Sequence, residues 1–159
     1  MKIQDMNSKS EGWRPTRAEL SEFLRAQPLC TFSSVDSEGK PQGATVAFSE
    51  TVDGNFIIGT IELSRKSTNV DANPNVAMTI TDMERRYTVQ LEGTARKLRA
   101  EAFAAYAEYH YEQLPASRPF KDAPGQINIL VSSKYIRFSD CNPRPWAVTD
   151  FTPEELQNS

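Results

Sequence analysis

A chain of 159 residues and 17.9 kDa is long enough to bury one hydrophobic core and too short for two. Its formal net charge of −3 gives no general attraction to nucleic acid or to anionic lipid. The amino-terminal residues lack the apolar core of a signal peptide, and no apolar run reaches the ~18 residues of a membrane span. We therefore expect one cytoplasmic domain without a nucleic-acid or membrane partner.

The first elements in chain order are a polar arm and a helix. Residues 1–12 are polar and without periodicity, which predicts a mobile amino-terminal arm before a domain that spans residues 13–142. Thr16 to Glu19 matches the capping-box pattern, and Leu20, Phe23 and Leu24 follow at helical spacing. This pattern predicts a helix from about Thr16 to Ala26.

A strand pattern begins after Pro28. Residues 29–35, 42–50 and 56–60 are rich in β-formers and are separated by Asp-x-x-Gly and Asp-Gly turns, which predicts a three-stranded antiparallel meander. A short helix should run from Ser64 to Ala72 and end before the Asn73-Pro74 pair. Strands follow at residues 76–82 and 87–98, then an alanine-rich helix from Ala100 to Gln113, and a long strand at residues 127–140.

Six antiparallel strands in so short a chain favour a barrel over an open sheet with bare edges. The fold class we expect is mainly β with flanking helices, as a six-stranded antiparallel barrel. Residues 143–159 should form a proline-containing carboxy-terminal tail.

Cysteine and histidine give no sign of a metal or redox centre. Cys30 and Cys141 lie far apart beside apolar runs, which predicts two buried free thiols rather than a disulfide. The single histidine, His110, has no cluster of cysteines and carboxylates at ligand spacing near it. We therefore predict no metal site.

The most informative segment runs from Gly59 to Ser67 (GTIELSRKS), where a strand ends and a short helix begins. A helix amino terminus carries a partial positive charge, so Arg65 and Lys66 are unfavourable there unless an anion binds with them. Thr60, Ser64 and Ser67 add hydroxyl groups that suit phosphate oxygens. A solvated surface pair is the alternative, and the residues alone leave both open.

The segment from Phe56 to Met78 (FIIGTIELSRKSTNVDANPNVAM) resembles the flavin-phosphate segment of the pyridoxamine-phosphate-oxidase-like split barrels. The strand YTVQLEGTARKL, with its Glu92-Gly93 pair, is similar to the strand that follows in that family. The resemblance spans about residues 16–140 and is strongest for the branch related to general stress proteins. It implies an FMN-binding split barrel and a homodimer whose cofactor sites are lined by both chains.

By that resemblance, Arg65 and Lys66 would hold the FMN phosphate, and Thr60 would bond the phosphate or the ribityl chain. Val46, Ala47 and Phe48 would lie along the flavin ring, with ordinary barrel packing as the alternative for Val46 and Phe48. Across the subunit interface, Gln90 or Thr88 and Trp146 would contribute contacts. The alternative for Trp146 is that it anchors the tail. The alternative for Gln90 is that it faces solvent.

The chain departs from true oxidases of the family where those bind substrate. Their lysine near the end of the second strand is replaced by Ser49 and Glu50, and their late Arg-x-His element is absent. Their Tyr-x-x-x-Arg-x-x-x-Ser element is not recognisable, although Ser117-Arg118-Pro119 is similar to part of it. Each lost charge-assisted bond is worth about 1.5 to 3 kcal/mol. Oxidation of vitamin B6 phosphates is therefore a less favoured function.

Three functions remain as alternatives. The first is an FMN-dependent oxidoreductase on an unidentified small molecule, in which the flavin carries the chemistry and no catalytic side chain is identifiable. The second is a protein that binds or senses FMN, or the deazaflavin F420, without turnover. The third is a haem-binding barrel, for which His110 on a helix is a poor axial ligand.

Overall fold

The computed structural model describes residues 12–152 and 154–155. All of the predicted amino-terminal arm except Gly12 lies outside the described residues.

The first helix forms where its capping pattern predicts. Helix α1 spans Arg17–Arg25, and Thr16 and Glu19 make both hydrogen bonds of the capping box. Leu20, Phe23 and Leu24 are buried on its inner face. The helix begins here because the capping box satisfies free N–H groups of the first turn and because one apolar face is buried.

The described residues contain eight strands rather than the six expected. They are β1 (Leu29–Val35), β2 (Pro41–Ala47), β3 (Ser49–Glu50), β4 (Phe56–Ile61), β5 (Asn75–Asp82), β6 (Tyr87–Leu98), β7 (Gln126–Asp140) and β8 (Ala147–Phe151). One extra strand arises because the predicted second strand is interrupted at Phe48, and the other is β8, inside the segment predicted as a tail. β8 pairs with β7 from Ala147 to Phe151, so part of the tail belongs to the sheet.

The sheet curls into a split barrel. Its strand order is β2-β1-β5-β6-β7-β4-β3, with β8 also paired to β7, and all pairs are antiparallel. Only Phe48 separates β2 at one end of this order from β3 at the other. The two ends must therefore lie next to each other. The predicted meander forms through both halves of the interrupted strand, since β2 pairs with β1 and β3 pairs with β4.

The core fills the inside of this curl because the strands alternate between buried and exposed positions. On β6, for example, Val89, Leu91 and Ala95 are buried, whereas Gln90 and Glu92 between them are exposed. The bulge at Glu92/Gly93 brings the Gly93 backbone so close to β7 that an added Cβ would lie 2.4 Å from the Ser132 carbonyl oxygen. Only glycine fits there without moving the neighbouring strand.

The remaining helices pack against the sheet. Helix α2 spans Arg65–Ala72 as predicted, with Ser64 as its N-cap. The predicted helix from Ala100 to Gln113 is wrong as one element, because it divides into α3 (Ala100–Phe103) and α4 (Ala107–Gln113), followed by a 3-10 helix at Pro115–Phe120. The break lets Phe103 pack edge-on against both His110 and Tyr111, so tertiary packing overrides alanine's helix propensity.

Both cysteines are free, as predicted, but their environments differ. Cys30 is buried, and burial raises the pKa of its thiol to about 12. Cys141 is only half-buried, which corrects the expectation of two buried thiols. Within the described ranges, no helix has both the length and the apolar character needed to cross a bilayer. The cytoplasmic location stays a prediction.

Candidate functional site

Four polar residues lie where β4 ends and α2 begins. They are Thr60, Ser64, Arg65 and Lys66, which we call the α2 cluster. The Thr60 and Ser64 hydroxyl oxygens are 2.9 Å apart, and the Lys66 Nζ lies 3.4 Å from the Thr60 Oγ1. Ser64 also caps the helix by accepting a hydrogen bond from the Ser67 N–H. The local fold thus brings two hydroxyl groups and two cationic side chains together, as the sequence predicts.

The charge of this cluster is not compensated by the described protein. Neither Arg65 nor Lys66 forms an ion pair with a described acidic side chain, and the first turn of α2 contains no acidic residue. The first-turn N–H groups of a helix add further positive potential at the same place. This combination favours an anion that accepts several hydrogen bonds, and phosphate is such an anion.

A cavity of about 260 Å³ lies beside the cluster and includes both cations in its wall. Its lining residues are Phe32, Ser34, Gln42, Gly43, Ala44, Arg65 and Lys66. The buried Asn69 amide donates hydrogen bonds of 3.0 Å to the Ser34 hydroxyl and to the Gln42 side-chain oxygen. This bonding fixes two polar side chains of the wall. Sequence reasoning missed Ser34, Gln42 and Asn69 because Asn69 of α2 lies 27 or more positions from the two residues of the β1–β2 hairpin that it contacts.

The other residues predicted near the flavin have mixed positions. Phe48 is buried and packs against Phe56 with ring centroids 6.0 Å apart, and Val46 packs against the same core, which is the alternative that the sequence left open. Ala47 lines a different cavity, which also includes Thr60. Ser67 is fully buried, and its hydroxyl has no hydrogen-bond partner among the described residues. Its contact with phosphate stays a prediction that its position does not support.

The predicted interface residues, Gln90 or Thr88 and Trp146, lie outside the wall of the 260 Å³ cavity. Gln90 is exposed on β6, between Thr79 of β5 and Arg137 of β7. Trp146 is 52% exposed, and the Arg144 guanidinium lies 5.4 Å from the centre of its ring. An exposed indole with a stacked cation is available for contact with another molecule. Both assignments stay predictions.

A second cavity, of about 350 Å³, borders the α2 cluster through Thr60. It is lined by Ala47, Gly59, Thr60, Ile61, His110, Tyr111, Leu114, Ser117, Phe120, Gln126 and Asn128. The buried His110 Nδ1 lies 2.6 Å from the Ser49 Oγ, and burial lowers the pKa of this imidazole to about 4. His110 is therefore neutral at pH 7. No local sequence pattern indicates this pair, because 61 residues separate its members.

Glu50, at the end of the second predicted strand, is buried and held by cations of α1. Its Oε1 accepts hydrogen bonds from the Arg17 Nη2 at 2.6 Å and from the Ser21 hydroxyl at 3.0 Å. Arg25 lies 3.5 Å from the other carboxylate oxygen. Two arginines are thus present near the strand end, but Glu50 neutralises much of their charge. The described residues include no group of three or more potential metal ligands.

The sequence model of the family described as pyridoxamine 5′-phosphate oxidase matches residues 16–130. This range contains the α2 cluster, both cavities and the Ser49–His110 pair.

Curated relatives that match the chain carry the name pyridoxine/pyridoxamine 5′-phosphate oxidase. The protein of Haemophilus influenzae (strain 86-028NP) is 35% identical over 99 residues, which cover 62% of this chain and 46% of the relative. The protein of Bacteroides fragilis (strain YCH46) is 27% identical over 133 residues, covering 78% of this chain and 57% of the relative. The chain therefore spans about half the length of these relatives.

Solved structures show the same fold at low identity. A haem-binding protein of Mycobacterium smegmatis has a TM-score of 0.74 at 18% identity, covering 91% of this chain and 61% of that one. General Stress Protein 26 of Bacillus anthracis has a TM-score of 0.64 at 21% identity, with coverages of 84% and 98%. A protein described as an F420 reductase has a TM-score of 0.59 at 21% identity, with coverages of 72% and 94%.

Proposed function

We propose that this chain, which belongs to the pyridoxamine 5′-phosphate oxidase family, is an FMN-binding oxidoreductase that acts on an unidentified small molecule. The observation that carries the proposal is the α2 cluster, where two cations without a described acidic partner meet a helix amino terminus and two hydroxyl groups. Such a donor set fits a phosphate monoester. Arg65 and Lys66 would hold the phosphate, and Thr60 and Ser64 would bond its oxygens or the adjoining ribityl chain.

The chemistry in this proposal comes mainly from the cofactor. A bound flavin supplies hydride or electron transfer, so no protein side chain has to act as a nucleophile. The protein supplies binding and orientation. The 350 Å³ cavity adjoins the α2 cluster at Thr60 and provides an uncharged cleft beside the phosphate site.

Oxidation of vitamin B6 phosphates is a less favoured function. A second phosphate needs its own cations, and the end of the predicted second strand offers Ser49 bonded to His110 and Glu50 bonded to Arg17. Glu50 already pairs with Arg17 and Arg25, so much of their charge is not available to a second phosphate. The names of the curated relatives therefore do not carry over to the substrate of this chain.

A protein that binds FMN or F420 without turnover is the main alternative, and a kinetic experiment separates the two. We expect the protein saturated with FMN to oxidise NADH or NADPH at least tenfold faster than the same concentration of free FMN, followed at 340 nm with oxygen as acceptor. A rate equal to that of free FMN with both donors would contradict the oxidoreductase and favour the binding protein. The same comparison with reduced F420 as the donor, followed by the absorbance of the oxidised deazaflavin, tests whether the protein uses F420.

We also propose that the protein is a homodimer with cofactor sites at the subunit interface. Four exposed residues lie side by side across neighbouring strands of the sheet. They are Thr45 on β2, Thr31 on β1, Thr79 on β5 and Gln90 on β6. This row is uncharged, and the neighbouring Gly43 belongs both to the same strand surface and to the wall of the 260 Å³ cavity. A second subunit on this surface would thus cover the phosphate site.

The molar mass in solution tests the homodimer. Light scattering on the eluting protein should give twice 17.9 kDa, and the double variant Thr31→Arg/Thr79→Arg should shift the mass toward the monomer by placing like charges in the contact. A wild-type mass of 17.9 kDa at micromolar concentration would contradict the proposal.

A further inference from the structure

The 350 Å³ cavity has no charged lining group at neutral pH. Its polar side chains are hydroxyls, two amides and His110, and burial lowers the pKa of His110 to about 4. A charged ligand bound there would lose part of its hydration without gaining an opposite charge. The cavity therefore suits an uncharged ligand, in contrast to the cationic 260 Å³ cavity on the other side of the Thr60–Lys66 contact.

Two buried polar side chains in this wall have unused hydrogen-bonding capacity. His110 is 2% exposed and Asn128 is 7% exposed. The His110 Nε2 and the Asn128 amide form no hydrogen bond with the described residues, although both residues line the cavity. Neither group is among the buried side-chain atoms that lack a partner, so both are open to the cavity. A molecule in the cavity can therefore form hydrogen bonds with them in place of solvent.

The Ser49 hydroxyl determines which imidazole nitrogen of His110 carries the proton. Ser49 is buried, and among the described residues its Oγ forms a hydrogen bond only with the His110 Nδ1, at 2.6 Å. The hydroxyl proton would be unpaired unless Ser49 donates it to Nδ1. An Nδ1 that accepts a hydrogen bond leaves the imidazole proton on Nε2. His110 therefore presents an N–H donor to the cavity.

We propose that the 350 Å³ cavity binds the carbonyl group of an uncharged ring, with the His110 Nε2–H as hydrogen-bond donor, the Asn128 amide as a second contact, and Ser49 as the residue that positions the imidazole. This inference rests on the proposed function, because the ring of a bound flavin is one source of such a carbonyl. A separate uncharged substrate is the other source. Both have the same chemistry at His110.

Because the chain has one histidine, imidazole NMR of the untagged, flavin-free protein with ¹⁵N-labelled histidine reports on this site alone. We expect the neutral Nε2–H tautomer, and we expect its signal to shift with riboflavin or with duroquinone but not with inorganic phosphate. A shift with riboflavin identifies the flavin ring as the source, and a shift with duroquinone alone identifies a separate molecule. An Nδ1–H tautomer, or a signal that neither uncharged probe moves, would overturn the inference.

Substitutions of Ser49 test its positioning role. Ser49→Ala should produce a mixture of tautomers and weaken binding of the effective probe at least threefold, whereas Ser49→Thr should keep the hydroxyl and the Nε2–H form. Ser139→Ala removes another buried serine hydroxyl, on β7, and should change neither. An unchanged tautomer in Ser49→Ala would refute the role of Ser49. FMN affinity, measured separately by absorbance, reports the proposed function, so the two failures are distinguishable.

Discussion

Replacing Arg65 and Lys66 together with alanine should weaken FMN binding at least tenfold and leave riboflavin binding within about twofold of the wild-type value. Both side chains lack a described acidic partner, so their charge is available to the phosphate, and each charge-assisted hydrogen bond is worth about 1.5 to 3 kcal/mol. Riboflavin has the same ring and ribityl chain without the phosphate. Fluorescence quenching of each flavin on titration with protein gives both dissociation constants.

A matched variant controls for the loss of two positive charges. Arg85→Ala/Lys134→Ala removes the same charge at two exposed positions that line neither of the two cavities described above. We expect this variant to keep the wild-type FMN affinity. If both double variants lose affinity equally, a general electrostatic effect replaces the phosphate site as the explanation. If neither loses affinity, the assignment of Arg65 and Lys66 is wrong.

Glu50→Ala should lower the free energy of unfolding by about 3 to 5 kcal/mol, because it leaves the Arg17 guanidinium without its main partner. The carboxylate is 1% exposed and the Arg17 side chain 11%, so water replaces little of the lost interaction. The Ser21 hydroxyl would also lose its acceptor, and Arg25 would lose its nearby carboxylate. Chemical denaturation followed by circular dichroism measures the difference.

Two further variants separate this buried contact from ordinary surface charge. Glu38→Ala breaks the exposed Glu38–Lys40 pair, whose atoms are 2.6 Å apart, and should cost less than about 1 kcal/mol. Arg17→Met/Glu50→Leu replaces both members of the buried pair with apolar side chains and should recover much of the stability that Glu50→Ala loses. Equal losses in Glu38→Ala and Glu50→Ala would contradict the structural role assigned to Glu50.

Local patterns predicted most of the strands and the first two helices. The capping box at Thr16, the turns before β2 and β4, and the Asn73-Pro74 stop act over a few residues, and each appears in the structure. The interruption at Phe48 and the break between α3 and α4 depend on packing between distant segments. Strand β8 follows a proline-containing segment and gains its stability by pairing with β7. Such long-range causes leave no local sequence signal.

The residues of the candidate site also fall into two groups, those with a local sequence signal and those brought together by distant segments. The α2 cluster comes from seven consecutive positions, Thr60 to Lys66, so its chemistry was visible in the sequence. The Ser49–His110 pair and the Asn69 bonds to Ser34 and Gln42 join residues 27 to 61 positions apart. Periodicity therefore identified His110 as a helical residue and could not reveal what it contacts.

Parallel titrations of the wild-type protein with FMN and riboflavin show whether the α2 cluster binds the phosphate of FMN. We expect FMN to bind at least tenfold more tightly than riboflavin, with a preference that falls as salt increases. Equal affinity for the two flavins, or no binding of either, would contradict it.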